Sequence, residues 1–595
     1  MAPHFGLNKA KLSGSSDYSV ENNLHGKFLN PPNPLFQRGN GSNSPFSKGG
    51  KGDLRLTLDL FPHFTLKNQL SLEYLRSRLS SVDLWLLIFG FVVFLYVLPI
   101  WVFKYFPSQD GPCHIYNSFI LRHYNDSNYR FDQFYEINKR LIPNWTSHAF
   151  MMLLMYIIPP LIAEKILLTV YIILMAVGML YLLNAVGKDR TPLVFIGLPL
   201  IYNYLLLMGF YNFVISVALF IISIGYWYKH FQTFNVKNTV ILAILLVILY
   251  FCHAVSLALA IFSIVVMAIL SLVSSKDKQE LVKGFLSRIR WKQVLLSFIS
   301  MLPAIGLLLY YTKGNSVSDP GGWTLKQLWQ YFIRNESLSY YNQSQIIFGK
   351  LVTGAFISLF FYTLIRDHLF TKKWKFGLRI EKKDLFLLLC IAFFVIYLKA
   401  PDGMSGGGFI KTRMSLFPFL IIIPWLSWNM PKVAKGIIGT ALIILSVAYI
   451  VHASYYHRML SDDMKVYTSG YDVVEKNKVV MPLAFNSAGR CLRIGMFLHS
   501  VGHYGYETGC IEMDNYEATT DYFPTFYKPS LYRPDTGIIE GKPGEVDFAE
   551  YAKDIDYIIT WALESKSDAE AKIMKYYSLI KQNGDLKVFV RKSKI

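Results

Sequence analysis

An acidic residue with a histidine close by follows the first long apolar segment of the chain. That segment covers residues 84–103, and the turn Asp110-Gly111-Pro112 comes soon after it, with His114 four residues beyond Asp110. Asp-Gly-Pro is typical of a turn, so we expect the Asp110 carboxylate at the lipid–water boundary, with His114 near it if a helix starts after Pro112. Both are candidate catalytic residues for proton transfer. The alternative is a surface aspartate that caps an interfacial helix.

The composition is that of a membrane protein. Of the 595 residues, 53% are hydrophobic and 16% aromatic. Many apolar runs are about twenty residues long, which is enough for a helix to cross a bilayer. The formal net charge is +20, but most Lys and Arg lie in short loops between apolar runs. That pattern indicates cytoplasmic loops rather than a nucleic-acid partner, so the expected contact is with membrane lipid.

Residues 1–80 are predicted to form a disordered cytoplasmic tail. They are rich in Gly, Ser, Asn, Pro and Lys, a composition that does not bury a core. Two similar Pro- and Gly-rich stretches, residues 31–39 and 44–52, resemble translated bacterial intergenic repeats. We therefore expect a protein of a bacterial inner membrane with its N-terminus in the cytoplasm.

About eleven membrane-spanning helices are predicted. The apolar segment 148–160 is short and ends in Pro159-Pro160, so we interpret it as a surface or re-entrant segment. If it crossed, every strongly basic loop would lie outside, against the positive-inside rule. The predicted spans are 84–103, 164–186, 192–208, 211–228, 238–252, 254–273, 294–312, 348–365, 384–400, 414–430 and 434–452. The basic loops that set the orientation contain Lys188 and Arg190, then residues 229–237, 276–292, 366–383 and 432–435.

The opposite, extracytoplasmic face collects the unusual polar residues. Polar and ionisable groups at membrane depth are costly, so their collection on one face indicates a functional site. Besides Asp110 and His114, this face holds Tyr211 and Asn212 after Gly209-Phe210, His253 at a tight turn, the polar loop 313–345, and the Gly-rich stretch 401–408 followed by Lys411 and Arg413.

Several of these residues are candidates for binding a phosphorylated substrate. Arg413 can hold a phosphate through two hydrogen bonds, Lys411 can add positive charge, and Gly406-Gly407-Gly408 leaves backbone amides open to an anion. Tyr211, Asn212 and His253 are further candidates. The alternatives are an interfacial arginine that reaches toward lipid head groups and, for His253, a hydrogen-bonded histidine at a helix end.

Residues 453–595 contain no span and are predicted to form an extracytoplasmic α/β domain. Strands are expected at 479–485, 554–561 and 586–590, and an amphipathic helix at 569–581. Earlier in the chain, residues 128–141 alternate aromatic and charged residues and are expected to form a helix on the membrane surface. The domain also contains Cys491 and Cys510, which can pair in an oxidising space or remain free thiols, and His499 and His503 with Glu507 and Glu512, a weak metal-ligand pattern.

An early outer loop with an aspartate at the mouth of a helix, many spans and an outer C-terminal domain resembles the GT-C superfamily of membrane glycosyltransferases. The resemblance rests on residues 104–116 in motif and on roughly 84–450 in layout. It implies a mainly α, GT-C-like transmembrane domain over residues 81–452. In that superfamily an acidic residue at the position of Asp110 acts on a sugar carried by a polyprenyl phosphate. Many relatives have paired acidic residues there, whereas this chain has Gln109, which leaves a divalent metal possible and no cofactor certain.

The resemblance implies transfer of a sugar from a polyprenyl-phosphate donor to an extracytoplasmic glycan, lipid or protein acceptor. One alternative is a transporter or flippase of lipid-linked glycans, which would place ionisable residues within spans and often repeat its halves in sequence. The other is a non-catalytic membrane scaffold whose outer domain binds a partner. The spans are nearly free of charge, which favours the transferase.

Overall fold

The computed structural model describes residues 84–187, 191–273, 291–313, 318–319, 321–369, 383–404 and 407–593. The tail predicted over residues 1–80 lies outside these ranges, as do Lys188, Arg190 and Gly406 and most of the basic loops within 276–292 and 366–383.

The chain is mainly helical up to residue 467. The helices of this part are α1 (Leu84–Val102), α2 (Gly111–His123), α3 (Phe131–Phe134), α4 (Thr146–Leu154), α5 (Pro160–Val186), α6 (Val194–Gly197), α7 (Tyr204–Leu207), α8 (Tyr211–His230), α9 (Val236–Cys252), α10 (Ala254–Val273), α11 (Trp291–Thr312), α12 (Leu325–Ile333), α13 (Gln345–Thr363), α14 (Asp384–Lys399), α15 (Ile410–Met414), α16 (Leu416–Ile422) and α17 (Lys432–Tyr467).

Seven of the described helices are long and apolar enough to cross a membrane: α1, α5, α8, α10, α11, α13 and α17. Their outer sides carry exposed apolar residues; on α1, Phe91 and Phe94 are 60% and 55% exposed. A bilayer would cover this apolar surface, whereas its exposure to water would be unfavourable. The chain is therefore a multi-pass membrane protein.

The predicted count of about eleven spans is not confirmed. The span expected at 192–208 is broken into short helical pieces around Pro192, Pro199 and Asn203, and the one expected at 414–430 is broken near Pro418 and Pro424. Proline removes a helical hydrogen bond and clashes with the preceding turn, and both interrupted segments are buried within protein.

Two further predicted spans form helices that are short for a bilayer. Helix α9 has 17 residues and α14 has 16, about 24–26 Å of helix against a hydrocarbon core of about 30 Å. Helix α4, within the segment predicted not to cross, has nine residues.

The C-terminal α/β region is present as predicted. Its central sheet consists of β4 (Val479–Ala484), β5 (Ile511–Glu512), β7 (Tyr557–Trp561), β8 (Tyr577–Asn583) and β9 (Leu586–Arg591). The order of these strands in the sheet is β5-β4-β7-β9-β8. Strand β4 runs parallel to β5 and β7, and β9 is antiparallel to β7 and β8. The helices of this region are α18 (Gly502–Thr508), α19 (Thr536–Gly541), α20 (Phe548–Tyr551) and α21 (Asp568–Tyr576).

One long helix joins the two parts. Helix α17 has 36 residues, about 54 Å, so it continues well beyond one bilayer thickness. The boundary predicted between residues 452 and 453 falls inside this helix.

Two local predictions were wrong. The helix expected over 569–581 ends at Tyr576, and residues 577–583 form the edge strand β8, because pairing with β9 outweighs helical periodicity. The surface helix expected over 128–141 consists of α3 and strand β1 (Tyr135–Ile137). Strand β1 pairs with β6 (Thr525–Tyr527), since its alternating pattern also suits a half-buried strand. A further short pair joins β2 (Ser318–Asp319) and β3 (Gly403–Met404).

Candidate functional site

The Asp110 side chain does not cap the helix that follows it. Helix α2 begins at Gly111 with Pro112 in its first turn, and Asp110 occupies the capping position without a side-chain capping bond. Only its backbone carbonyl takes part, accepting from the His114 amide at 3.0 Å. The residue is 4% exposed. The alternative of a surface, capping aspartate therefore does not describe this carboxylate.

A tight turn between α7 and α8 holds the backbone of Asp110. The Asp110 amide donates to the Met208 carbonyl at 3.1 Å, and the Gln109 amide donates to the Leu207 carbonyl at 3.0 Å. Gly209 has φ +88°, and a Cβ there would lie 2.8 Å from the Asp110 nitrogen. Glycine is required because both the backbone angle and the close approach exclude a side chain.

The carboxylate of Asp110 faces the C-terminal region. Its Oδ1 accepts from Gln109 Nε2 at 3.1 Å and lies 3.5 Å from His499 Nε2. Burial raises the pKa of Asp110 to about 7, with His114, Gln109 and Tyr516 opposing that rise and Glu517 adding to it. A carboxyl with this pKa exchanges a proton near neutral pH.

Both ring nitrogens of His114 are occupied. Nε2 lies 2.7 Å from the Gly209 carbonyl oxygen, and Nδ1 contacts Glu517 Oε1 and lies 3.3 Å from His148 Nε2. Burial alone would lower the pKa of His114, but the Glu517 and Asp110 carboxylates and the Gly209 carbonyl outweigh it, so this pKa is raised. The ring is thus held by the protein on both sides.

Glu517 is the acidic partner of two histidines. His148 Nε2 lies 2.9 Å from Glu517 Oε2, and both side chains are fully buried. Burial would raise the pKa of Glu517, but His148 and His114 outweigh it and lower this pKa to about 2. Glu517 is therefore ionised at neutral pH.

Tyr211 and Asn212 are buried at the start of α8. The Tyr211 hydroxyl donates to Glu164 Oε1 at 2.6 Å. The Asn212 side chain accepts from the Ser147 amide at 2.7 Å and donates to the Asn144 carbonyl at 2.9 Å. Both residues thus make internal contacts, and those of Asn212 position the start of α4.

Arg413 lies against the same turn that holds Asp110. Its guanidinium carbon is 4.7 Å from the ring centre of Phe210 and 5.5 Å from that of Phe213. Nη1 donates to the Gly408 carbonyl at 2.6 Å, whereas the buried Nε has no partner among the residues described. Arg413 therefore keeps a donor for a further acceptor.

The two remaining candidates have separate surroundings. Lys411 Nζ donates to the Ala400 carbonyl at 2.6 Å, so its charge caps the end of α14. His253 Nδ1 accepts from the Val255 amide at 3.2 Å, the contact expected for a helix-end histidine. The His253 ring is 5.2 Å from Phe213, so His253 and Arg413 share one aromatic neighbour.

Sequence reasoning missed His148 and Glu517 as site residues. His148 opens the apolar segment 148–160, and Glu517 ends the polar stretch Asp514-Asn515-Tyr516-Glu517. The only sequence feature that could have indicated either residue as a site residue was an ionisable side chain next to an apolar or aromatic segment.

A second group of possible metal ligands consists of His499, Asp514 and Glu540. His499 Nδ1 and Asp514 Oδ1 are buried without a partner among the described residues. Burial and the neighbouring carboxylates raise the pKa of Asp514. The sequence pattern of His499 with His503, Glu507 and Glu512 does not assemble as one such group. Cys491 and Cys510 are free, buried thiols.

No protein-family model matches the chain, and no curated protein gives a significant match. Among solved structures, the chain is similar to ArnT from Cupriavidus metallidurans bound to undecaprenyl phosphate, with 11% sequence identity, a TM-score of 0.48, and coverage of 86% of this chain and 98% of that chain. For the same protein in the apo state the values are 9%, 0.46, 85% and 97%. Two of the solved structures similar to this chain are thus structures of ArnT, each aligned over most of the chain.

Proposed function

We propose that this chain is a membrane glycosyltransferase that moves a sugar from a polyprenyl-phosphate donor to an extracytoplasmic acceptor. The observation that carries the proposal is one turn, residues 207–213, that contacts both the backbone of the buried Asp110 and the guanidinium of Arg413. The Asp110 amide is bonded to Met208, and Arg413 packs on Phe210 and Phe213. Undecaprenyl phosphate, the lipid in one of the ArnT structures, is a polyprenyl phosphate without a sugar, the class of product that this transfer would release.

Asp110 has the properties of a general base. It is buried, free of capping bonds, and has a raised pKa of about 7. In the proposed step the acceptor hydroxyl gives its proton to the Asp110 carboxylate while its oxygen bonds to the anomeric carbon of the sugar.

Arg413 is the proposed partner of the leaving group. As the new bond forms, the bond between the anomeric carbon and the phosphate oxygen breaks, and the electron pair leaves with the polyprenyl phosphate. The Arg413 guanidinium stabilises that developing charge through its unpartnered Nε. Tyr211, Asn212, His253 and Lys411 shape and support the site in this proposal, whereas His114 positions the start of α2.

The proposed location is a bacterial inner membrane, with the N-terminus in the cytoplasm and the C-terminal domain outside. Basic loops between predicted spans favour this orientation. A phosphatase fusion at the C-terminus should be active and a fluorescent-protein fusion there dark; the reverse result would overturn the orientation.

The test compares wild type with Asp110→Asn, purified in detergent as full chains. Each is given a panel of polyprenyl-phosphate sugars and envelope glycan, lipid and protein acceptors, and released polyprenyl phosphate is measured. We expect wild type to turn over at least one donor and Asp110→Asn to lose about a hundredfold or more in rate, the scale of a general base.

The matched control is Asp126→Asn, which makes the same change just after α2 in a side chain that is 31% exposed and pairs with His123. It should keep the wild-type rate. Equal rates for Asp110→Asn and wild type would show that the site assignment is wrong.

A further inference from the structure

Three side chains from distant parts of the chain meet in one buried group. His114 comes from α2, His148 from α4 and Glu517 from the loop after β5, and each is at most 2% exposed. One ligand atom from each lies within 4.8 Å of the others. His114 Nδ1 is 3.3 Å from His148 Nε2, which is 2.9 Å from Glu517 Oε2.

The far nitrogen of each ring is fixed by a backbone carbonyl. His114 Nε2 lies 2.7 Å from the Gly209 oxygen, and His148 Nδ1 lies 3.2 Å from the Asn144 oxygen. A carbonyl only accepts hydrogen bonds, so each of these nitrogens carries its proton. In the neutral rings, the lone pairs of His114 Nδ1 and His148 Nε2 therefore point toward each other and toward the Glu517 carboxylate.

Three acceptors that face one another need a positive species between them. One extra proton on His114 Nδ1 would pair that ring with Glu517, but it would leave the His148 Nε2 lone pair 2.9 Å from a carboxylate oxygen. A second proton would create two buried imidazolium ions whose ring nitrogens are 3.3 Å apart, with one carboxylate to balance them. A single metal ion satisfies all three acceptors at once. Histidine ligands that donate their other ring nitrogen to a backbone carbonyl are characteristic of metal sites.

The spacing and the donor set fit zinc. Zinc–nitrogen bonds of about 2.0–2.1 Å at a tetrahedral angle place two nitrogen ligands about 3.3–3.4 Å apart, which matches the 3.3 Å between His114 Nδ1 and His148 Nε2. The Glu517 oxygens lie closer to these nitrogens than that, at 2.9 Å from His148 Nε2 and in contact with His114 Nδ1, so the carboxylate would move back to bind the ion. Two imidazoles and a carboxylate suit zinc better than magnesium or calcium, which prefer oxygen ligands.

We propose that His114, His148 and Glu517 bind one zinc ion that joins α2, α4 and the C-terminal region. Three protein ligands leave the fourth position of a tetrahedral ion to a water or another oxygen. The ion would fix the first turn of α2, and with it the backbone that carries Asp110. The test of this site is independent of the proposed glycosyl transfer, since it measures bound metal and uses no sugar donor.

The test measures metal in the purified full-length protein. Wild type, dialysed without chelator, is analysed by plasma mass spectrometry, and we expect about one zinc per chain. Glu517→Gln and His148→Gln should each lose this zinc. Asp514→Asn is the matched control, because it alters the other candidate ligand group, His499, Asp514 and Glu540, and it should retain the zinc.

Wild type alone provides a second measurement that does not depend on whether a variant folds. A strong chelator should lower its melting temperature, added zinc should restore it, and cobalt in place of zinc should give the visible absorption of a tetrahedral site. The proposal is overturned if wild type neither retains nor takes up zinc. It is also overturned if Asp514→Asn loses the metal while Glu517→Gln keeps it.

Discussion

Asn117 and Asn515 exchange two hydrogen bonds between α2 and the C-terminal region. Asn117 Nδ2 donates to Asn515 Oδ1 at 3.0 Å, and Asn515 Nδ2 donates to Asn117 Oδ1 at 2.9 Å. Both side chains are fully buried. Thr525 Oγ1 also donates to Asn117 Oδ1 at 2.5 Å. The helix that follows Asp110 is thus held by the C-terminal region through a satisfied polar network, in addition to apolar packing.

Replacing Asn515 with Ala should destabilise this contact. The change removes one hydrogen-bond partner from both the nitrogen and the oxygen of the buried Asn117 amide, which keep Cys113 and Thr525. Loss of a net hydrogen bond costs about 0.5–1.5 kcal/mol. We expect a lower melting temperature for the full chain in detergent and faster proteolysis within the C-terminal region. Asn583→Ala, which removes an exposed bond to Ser469, is the control. Equal melting temperatures for the two variants would contradict the role of the pair.

A second prediction concerns the pH dependence of stability through Glu570 and Lys587. Lys587 Nζ donates to Glu570 Oε1 at 2.6 Å. Hydrogen bonds from Lys587 and from the Lys566 amide lower the pKa of Glu570. A carboxyl whose folded pKa is depressed stabilises the protein above its unfolded pKa, about 4.3, and loses that contribution as the pH falls through the folded value.

The measurement is the difference in unfolding midpoint between wild type and Glu570→Gln from neutral to acidic pH. We expect the difference to be largest near pH 7 and to shrink below about pH 4.3. Glu545→Gln is the control, because Glu545 makes an exposed pair with Lys542 and should show a much smaller difference. If the difference in unfolding midpoint between wild type and Glu570→Gln grew as the pH fell, the ionised Glu570 would not be the stabilising form.

Local sequence patterns were sufficient to predict the α/β region and the exposed apolar helices. Strand β4 was expected at 479–485 and lies at Val479–Ala484, because a short run of Val, Met and Leu is buried on both faces of a sheet. The apolar run 84–103 was likewise recovered as α1. Such helices and strands are determined by residues that are close together in the sequence.

Local sequence patterns could not predict contacts between segments that are distant in the sequence. His148 and Glu517 are 369 positions apart, and no spacing rule connects them. The segment 192–208 was expected to span as one helix, but Pro192, Pro199 and Asn203 interrupt it once surrounding protein satisfies its backbone. For the site, the sequence indicated Asp110 and Arg413 but not the His114–His148–Glu517 group.

Arg413→Lys should weaken donor binding more than it affects folding. Lysine keeps the charge but loses the planar group that packs on Phe210 and the Nε donor that has no internal partner. We expect a KM for the lipid donor raised by about tenfold, since a hydrogen bond to a charged group contributes about 1.5–3 kcal/mol, with a nearly unchanged melting temperature. Arg140→Lys, at a side chain that is 49% exposed, is the control. An unchanged KM for Arg413→Lys would show that Arg413 does not bind the phosphate of the lipid donor.

Gly209→Ala should displace Asp110 without altering any ionisable group. The new Cβ would lie 2.7 Å from the Gly111 nitrogen and 2.8 Å from the Asp110 nitrogen, at φ +88°. Backbone held in this region by a residue with a side chain costs about 1–3 kcal/mol. A shift of about 1 Å in a catalytic group can lower the rate about a hundredfold. We therefore expect a modest loss of stability and a large loss of transfer rate.

The control for this substitution is Gly90→Ala in α1, where a Cβ would meet nothing within 4 Å. It should keep both the wild-type melting temperature and the wild-type rate, because alanine favours the helix. Transfer rate and melting temperature are measured on the same preparations. If Gly209→Ala retains the full rate, the close contact between the 207–213 turn and Asp110 does not position the carboxylate for catalysis. If its rate falls only in proportion to the fraction unfolded, the turn contributes to stability alone.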